Sequence, residues 1–186
     1  MKSEKEKMLA GELYNASDPL LSVERHKARM LIKKFNDSSN NDKLLRTQIL
    51  RELFGSIGDN LEIEPPFFCD YGYNISIGNN VFFNFNCIVL DVSYVAIGDY
   101  TMLGPNVQIY TATHPMDWQT RATMLEYAKP VSIGAHVWIG GSAVICPGVS
   151  IGDKAVVGAG SVVTKDIPSN VFAAGNPCKI IRELDI

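Results

Sequence analysis

A period of six dominates this chain. From Ile133 onward every sixth residue is aliphatic, at Ile133, Ile139, Ile145, Ile151, Val157 and Val163. The following residue is mostly small (Gly134, Gly140, Cys146, Gly152, Gly158, Thr164). The fourth after each aliphatic is small or β-branched (Val137, Ala143, Val149, Ala155, Ser161, Ile167). The template also fits upstream, where Ile97, Leu103 and Ile109 lead to Thr101, Val107 and Thr113, and Ile77, Phe83 and Val89 lead to Val81, Cys87 and Ser93. A weaker turn begins at Ile57 and Ile63. Such a repeat is a β-helix signal: each unit supplies one short strand and one corner, and three units close a triangular coil. The aliphatic points inward because nothing else in the repeat fills a core, and small residues sit where the chain turns and backbones approach closely. Ile57 to Ile77 and Ile77 to Ile97 are each 20 residues apart, so two residues bulge at a corner. At about 4.8 Å per coil, about five coils make a prism roughly 24 Å tall.

The expected fold is therefore all-β dominated, a parallel β-helix over residues 56–178. The aliphatic-Gly-x-x-small-x pattern resembles that of left-handed β-helices; that hand opposes the usual crossover rule, so it rests on the pattern alone. Residues 1–55 read instead as an α-helical segment packing on the prism. Asp18-Pro19 has the form of an N-cap with proline at the first helical position. Leu20, Val23, Ala28, Leu31 and Phe35 then recur at helical spacing. A second run carries Leu44, Leu45, Ile49, Leu50, Leu53 and Phe54 and stops at Gly55, a helix-ending glycine. Residues 179–186 form a C-terminal tail.

With 46% hydrophobic and 20% charged residues the chain is ordinary globular material, and its formal net charge of −3 argues against a basic nucleic-acid surface. Met1-Lys2-Ser3-Glu4-Lys5-Glu6-Lys7 leads into no apolar run, and no stretch has the length of a membrane span. Cys69, Cys87, Cys146 and Cys178 form no C-x-x-C pair, which argues against a zinc site or redox dithiol. Free thiols in a reducing cytoplasm are the expectation.

The rhythm fails once, between His114 and Ile133, where a loop insertion (115–132) carries Trp118, Arg121 and Tyr127. Long loops on rigid scaffolds often carry function, although a solvent-exposed insertion is the plainer alternative. Of the three histidines, His26 lies in a helix, His136 occupies a corner, and His114 sits where the loop leaves the prism. His114 suits a general base, since no G-x-S-x-G elbow or activated cysteine competes for that role; a structural role stays open. One such histidine cannot build the three-histidine metal site of β-helix hydratases, so no metal is expected. Asn84 stands between Phe83 and Phe85, Asp91 follows Leu90, and Asp70 precedes Tyr71-Gly72-Tyr73. Amides and carboxylates among rings suit a sugar, although by spacing alone the capping of exposed corner backbone is the plainer reading.

Together these runs resemble the maltose/galactoside O-acetyltransferase family. The resemblance is carried by Cys69-Asp70-Tyr71-Gly72-Tyr73-Asn74-Ile75, Asn84-Phe85-Asn86, Leu90-Asp91-Val92 and Tyr110-Thr111-Ala112-Thr113-His114-Pro115. Val137-Trp138-Ile139-Gly140-Gly141, Val162-Val163-Thr164-Lys165-Asp166-Ile167-Pro168, Gly175-Asn176-Pro177 and the leader Glu4–Tyr14 extend it over nearly the whole chain. The maltose branch is the nearer one. The resemblance implies acetyl transfer from acetyl-CoA to a sugar hydroxyl, without a covalent enzyme intermediate, in a homotrimer with sites between subunits. It implies His114 as general base and Asn84 as the group orienting acceptor and thioester. Asp70, Asp91 and Glu126 would meet the sugar. Trp138, Gly141, Ala159, Thr164 and Lys165 would line the acetyl-CoA groove, with Lys179 and Arg182 toward the CoA phosphates. This chain departs from the family at Ala16 and Val92, where the galactoside branch is acidic, and in Arg121-Ala122-Thr123-Met124-Leu125-Glu126, which lacks the maltose branch's glycine. Two alternatives follow: another hydroxyl-bearing acceptor, such as a nodulation-type oligosaccharide or an antibiotic, or a non-catalytic trimeric ligand-binding scaffold.

Overall fold

The computed structural model describes residues 1–185. Short parallel strands wind into a triangular prism with three faces. The chain passes in turn through a serine face (strands beginning at Ser56–Ile57), an aromatic face (beginning at Glu62–Ile63) and a third face (beginning at Phe67–Cys69). The first corner joins the serine and aromatic faces, the second joins the aromatic and third faces, and the third returns to the serine face. Every repeat aliphatic from Ile63 to Val163 points inward and is buried, as the period predicts.

The coil number runs slightly above the expected five. The serine and third faces have five strands each, but the aromatic face has six parallel strands, and an Ile151–Ile167 bridge opens a further coil. The repeat signal fades there because Val171–Ala174, the last parallel strand, is longer and pairs antiparallel with Lys179–Glu183. That returning strand covers an edge that would otherwise invite another chain.

Where glycine follows the aliphatic it serves close stacking, and at the first corner the left-handed turn falls two residues later. A Cβ on Gly98 would stand 2.6 Å from the Gly134 carbonyl carbon of the next coil. Positive φ is instead carried at the first corner by Asn60, Asn80, Tyr100, His136, Lys154 and Asn170. Asparagine tolerates this region best and adds a ladder, with Asn60 Nδ2 donating to Asn80 Oδ1 at 2.9 Å.

Three helices, α1 (Glu4–Leu9), α2 (Pro19–Asn36) and α3 (Lys43–Leu53), precede the prism. Asp18 caps α2 as expected, accepting from Leu20 N–H at 3.0 Å. The buried face of α2 differs from the one the spacing selected: Leu21, Ala28, Ile32 and Phe35 are buried, while Leu20 and Val23 are exposed. Apolar residues occupy more than one stripe of this helix, so periodicity alone does not choose between them. In α3, Ile49, Leu50 and Leu53 are buried and Leu44 and Leu45 are exposed. Gly55 does not supply a left-handed cap; its Cβ would meet the Tyr73 carbonyl oxygen at 2.3 Å, so it is there for close approach. Helices α2 and α3 plug the lower end of the prism, whereas Met8 of α1 packs in a separate cluster with Leu21, Tyr71 and Ala128. Phe54 meets Phe67 edge-on at 5.6 Å, and Asn36 both donates to the Phe67 carbonyl and accepts its N–H, satisfying an edge strand.

Candidate active site

His114, Asp91 and Asp70 lie at the third corner, where the coils are irregular. In the regular repeat this corner is short, but after Tyr110 the chain leaves the prism. Thr111, not Thr113, fills the inward position, its hydroxyl donating to the Leu90 carbonyl at 2.7 Å. Ala112–Thr113 then pairs antiparallel with Tyr127–Ala128, so the insertion is a stemmed arm whose pairing begins before residue 115. Its tip holds a short helix, α4 (Trp118–Arg121), capped by Asp117. Arg121 donates to the Pro115 and Met116 carbonyls at 3.0 and 2.9 Å and braces the outgoing limb.

His114 stands on that outgoing limb, half exposed. Its Nδ1 lies 3.3 Å from the Leu125 carbonyl oxygen. A carbonyl only accepts, so the neutral ring carries its hydrogen on Nδ1 and keeps the Nε2 lone pair free. Nε2 faces Glu126 Oε2 at 3.6 Å. Glu126 is in turn held by the leader: the Tyr14 hydroxyl donates to its Oε1, and the two residues exchange backbone bonds at 3.0 and 3.2 Å.

One and two coils below, the same corner holds Asp91 and Asp70. Asp91 is fully buried; its Oδ1 accepts the N–H groups of Asp70 and Tyr71, each at 2.9 Å, and its Oδ2 has no partner. Burial pushes this carboxyl up to about 7, with the charge of Asp70 adding to the rise and the Tyr71 N–H opposing it. A side chain with no exposed surface does not reach a sugar, so Asp91 departs from the binding role its motif implied and instead shapes the turn that presents Asp70. Asp70 is partly exposed. Burial also raises its carboxyl, and the Arg25 guanidinium counteracts that rise. It ends an open cleft of about 530 Å³ beneath α2, lined by Arg29, Ile32, Phe68 and Leu90.

The structure adds Tyr14, Arg25 and Tyr71 to the residues that the sequence motifs point to. Arg25 donates to the Tyr71 hydroxyl at 2.7 Å and the Ala16 carbonyl at 2.6 Å, tying α2, the leader and the corner together. A signal existed: Leu21, Arg25, Ala28 and Ile32 form one stripe, and a cation within a buried stripe calls for partners.

The remaining expected residues lie elsewhere. Gly141 and Ala159 stack on successive coils at the second corner, with Asn84 two coils below Gly141 and away from His114 within the chain. Trp138 projects from the aromatic face, 53% exposed. Thr164 and Lys165 are exposed at the third corner of an upper coil, and Lys179 and Arg182 are exposed on the returning strand. The small second-corner residues are required by packing, since a Cβ on Gly140 would stand 2.5 Å from Ala159 N. Glycine and alanine there leave the second corner without bulky side chains. Among the described residues no cluster has the composition of a metal site.

Comparison with known proteins agrees with this architecture. Residues 7–58 match the model of the maltose acetyltransferase hexapeptide capping motif, and residues 130–165 match the hexapeptide repeat of succinyl-transferase. Nodulation protein L of Rhizobium meliloti is 51% identical over 179 residues, covering 96% of this chain and 98% of its own. The crystal structure of a maltose O-acetyltransferase from Clostridium difficile superposes with a TM-score of 0.98 at 52% identity, covering 100% of this chain and 99% of that one. A galactoside acetyltransferase in complex with coenzyme A gives 0.96 at 41% identity, covering 100% and 92%. Leader, prism and arm thus match along their full length, and the chain belongs to the maltose/galactoside O-acetyltransferase family of hexapeptide-repeat acyltransferases.

Proposed function

We propose that this acetyltransferase moves the acetyl group of acetyl-CoA directly to a sugar hydroxyl, with His114 as general base. The observation that carries the reading is the half-exposed His114 ring, whose Nδ1 is committed to the Leu125 carbonyl while Nε2 stands 3.6 Å from Glu126 Oε2. A hydroxyl is a poor nucleophile until its proton leaves, and a positioned histidine is worth about 10²- to 10⁴-fold. The thioester is already an activated donor, so proximity supplies much of the remaining barrier reduction. Asp70 and Glu126 offer acceptors for further sugar hydroxyls. CoA is bound in a solved relative; in this reading the small residues Gly141 and Ala159 admit its pantetheine arm, and the exposed cations Lys165, Lys179 and Arg182 are the candidates for its phosphates. Lys179 supplies charge without the bidentate fork of arginine.

A homotrimer with sites between subunits is part of the reading. Two features support it. Outward positions on the serine face are Ser56, Ser76, Ala96, Ser132 and Ser150, whereas the aromatic face presents Phe82, Met102, Trp138, Val156 and Phe172 in register. An outward apolar row is characteristic of an interface. Moreover, Asn84 and His114 occupy different corners of one prism, so joining them requires a second copy. The free thiols of Cys69, Cys87, Cys146 and Cys178 support a cytoplasmic setting.

The test is release of CoA thiol from acetyl-CoA with glucose, maltose, galactosides or no acceptor, in the native chain and in His114→Ala. Acceptor-dependent release that falls at least about 100-fold in the variant, with assembly intact, is expected. Equal turnover in His114→Ala would remove the base from this residue, and no release with any acceptor despite bound acetyl-CoA would favour the non-catalytic scaffold.

A further inference from the structure

The contact between Tyr14 and Glu126 joins residues 112 positions apart, and it lies outside the prism core. Tyr14 is fully buried in a separate cluster with Met8, Leu21, Tyr71, Val92 and Ala128. Its ring therefore anchors the leader to the arm's returning limb, but packing does not explain the hydroxyl. That hydroxyl spends its hydrogen on Glu126 Oε1, and burial together with this bond raises the phenol well above its ordinary range. One carboxylate oxygen is thereby fixed, and the other is left facing His114 Nε2 at 3.6 Å.

This arrangement changes sign during the reaction. Before transfer, Nε2 holds a lone pair, so it and Oε2 are two acceptors facing one space, which only a donor such as the acceptor hydroxyl can satisfy. As the hydroxyl proton moves to Nε2, the ring becomes a cation beside a carboxylate. The interaction is thus stronger in the transition state than in the ground state, which is the condition for raising kcat. A carboxylate free to rotate into solvent would lose this difference.

We infer that Tyr14 is a positioning residue of the acetyl transfer, acting through Glu126 to hold a carboxylate against the developing His114 cation. The leader segment is then part of the catalytic apparatus. The inference rests on His114 as the base.

The experiment is a double-mutant cycle on the assembled full-length chain, with Tyr14→Phe, Glu126→Gln and the double variant. Tyr14→Phe keeps the ring and both backbone bonds. It is expected to lower kcat about 10-fold and leave KM for acetyl-CoA and the thermal midpoint unchanged, with Glu126→Gln lowering kcat by about 30-fold. The double variant should be no worse than Glu126→Gln alone, since the hydroxyl then has nothing to position. A native-like kcat in Tyr14→Phe, or losses that multiply in the double variant, would overturn the inference. A second readout needs no turnover: the imidazole ¹⁵N resonances of the three histidines. The His114 Nε2 signal should move in both single variants while His26 and His136 stay in place; an unmoved signal in both overturns the contact. His114→Ala retaining activity would instead sink the proposed base, so the two failures are distinguishable.

Discussion

Replacing Asp91 by asparagine tests how a buried acid is tolerated at the third corner. The native carboxyl is raised from an ordinary 3.8 to about 7 by burial, so the folded chain binds this proton more tightly than the unfolded chain does. Stability from this group is full below about pH 4, falls as pH rises through the window up to about 7, and levels off above it. At about 1.4 kcal/mol per pKa unit, the swing is on the order of 4 kcal/mol. Asparagine keeps an oxygen for the Asp70 and Tyr71 N–H groups and carries no charge. Its NH₂ takes the place of Oδ2, which has no partner, at a cost of about 1–3 kcal/mol at every pH. Asp91→Asn is therefore expected to be less stable than the native chain near pH 4 and more stable, by roughly 1–3 kcal/mol, near pH 8. Urea unfolding across this range at fixed protomer concentration gives both curves. Two curves that run parallel, without crossing, would refute the assignment of a strained buried charge.

Three further outcomes follow from the coil geometry and the cations. Gly98→Ala must push apart two coils whose backbones already touch and should cost about 1–3 kcal/mol in thermal or urea unfolding. Gly160→Ala, at φ +69 with nothing within 4 Å, should cost only about 1 kcal/mol, from backbone strain alone. Equal losses would mean that coil spacing is not what demands glycine. Arg182→Ala should raise KM for acetyl-CoA about 10-fold with little change in kcat, and the effect should shrink at high salt. A salt-independent loss would point to packing of the returning strand.

The period of six determined the prism by itself. Each inward aliphatic, from Ile63 to Val163, follows from a local rule repeated every coil, and a repeat needs no knowledge of distant residues to be read. The single break in that rhythm likewise marked His114 and the arm, because an interruption of a regular pattern is itself a local signal. Tertiary structure decided what local patterns leave degenerate. It chose Leu21 and Ile32 over Leu20 and Val23 on α2, Ile32 by packing on the prism core and Leu21 by packing with Met8, Tyr14 and Ala128 of the leader and arm. It turned Asp91 inward while leaving its neighbour Asp70 at a cleft, since corner side chains are aimed by the turn and not by a period. It placed Asn84 and His114 on separate corners of one prism. And it brought Tyr14 to Glu126, a pairing between a leader and an arm that neither segment's own sequence specifies, because contacts between non-repeating elements depend on where the rigid scaffold between them ends.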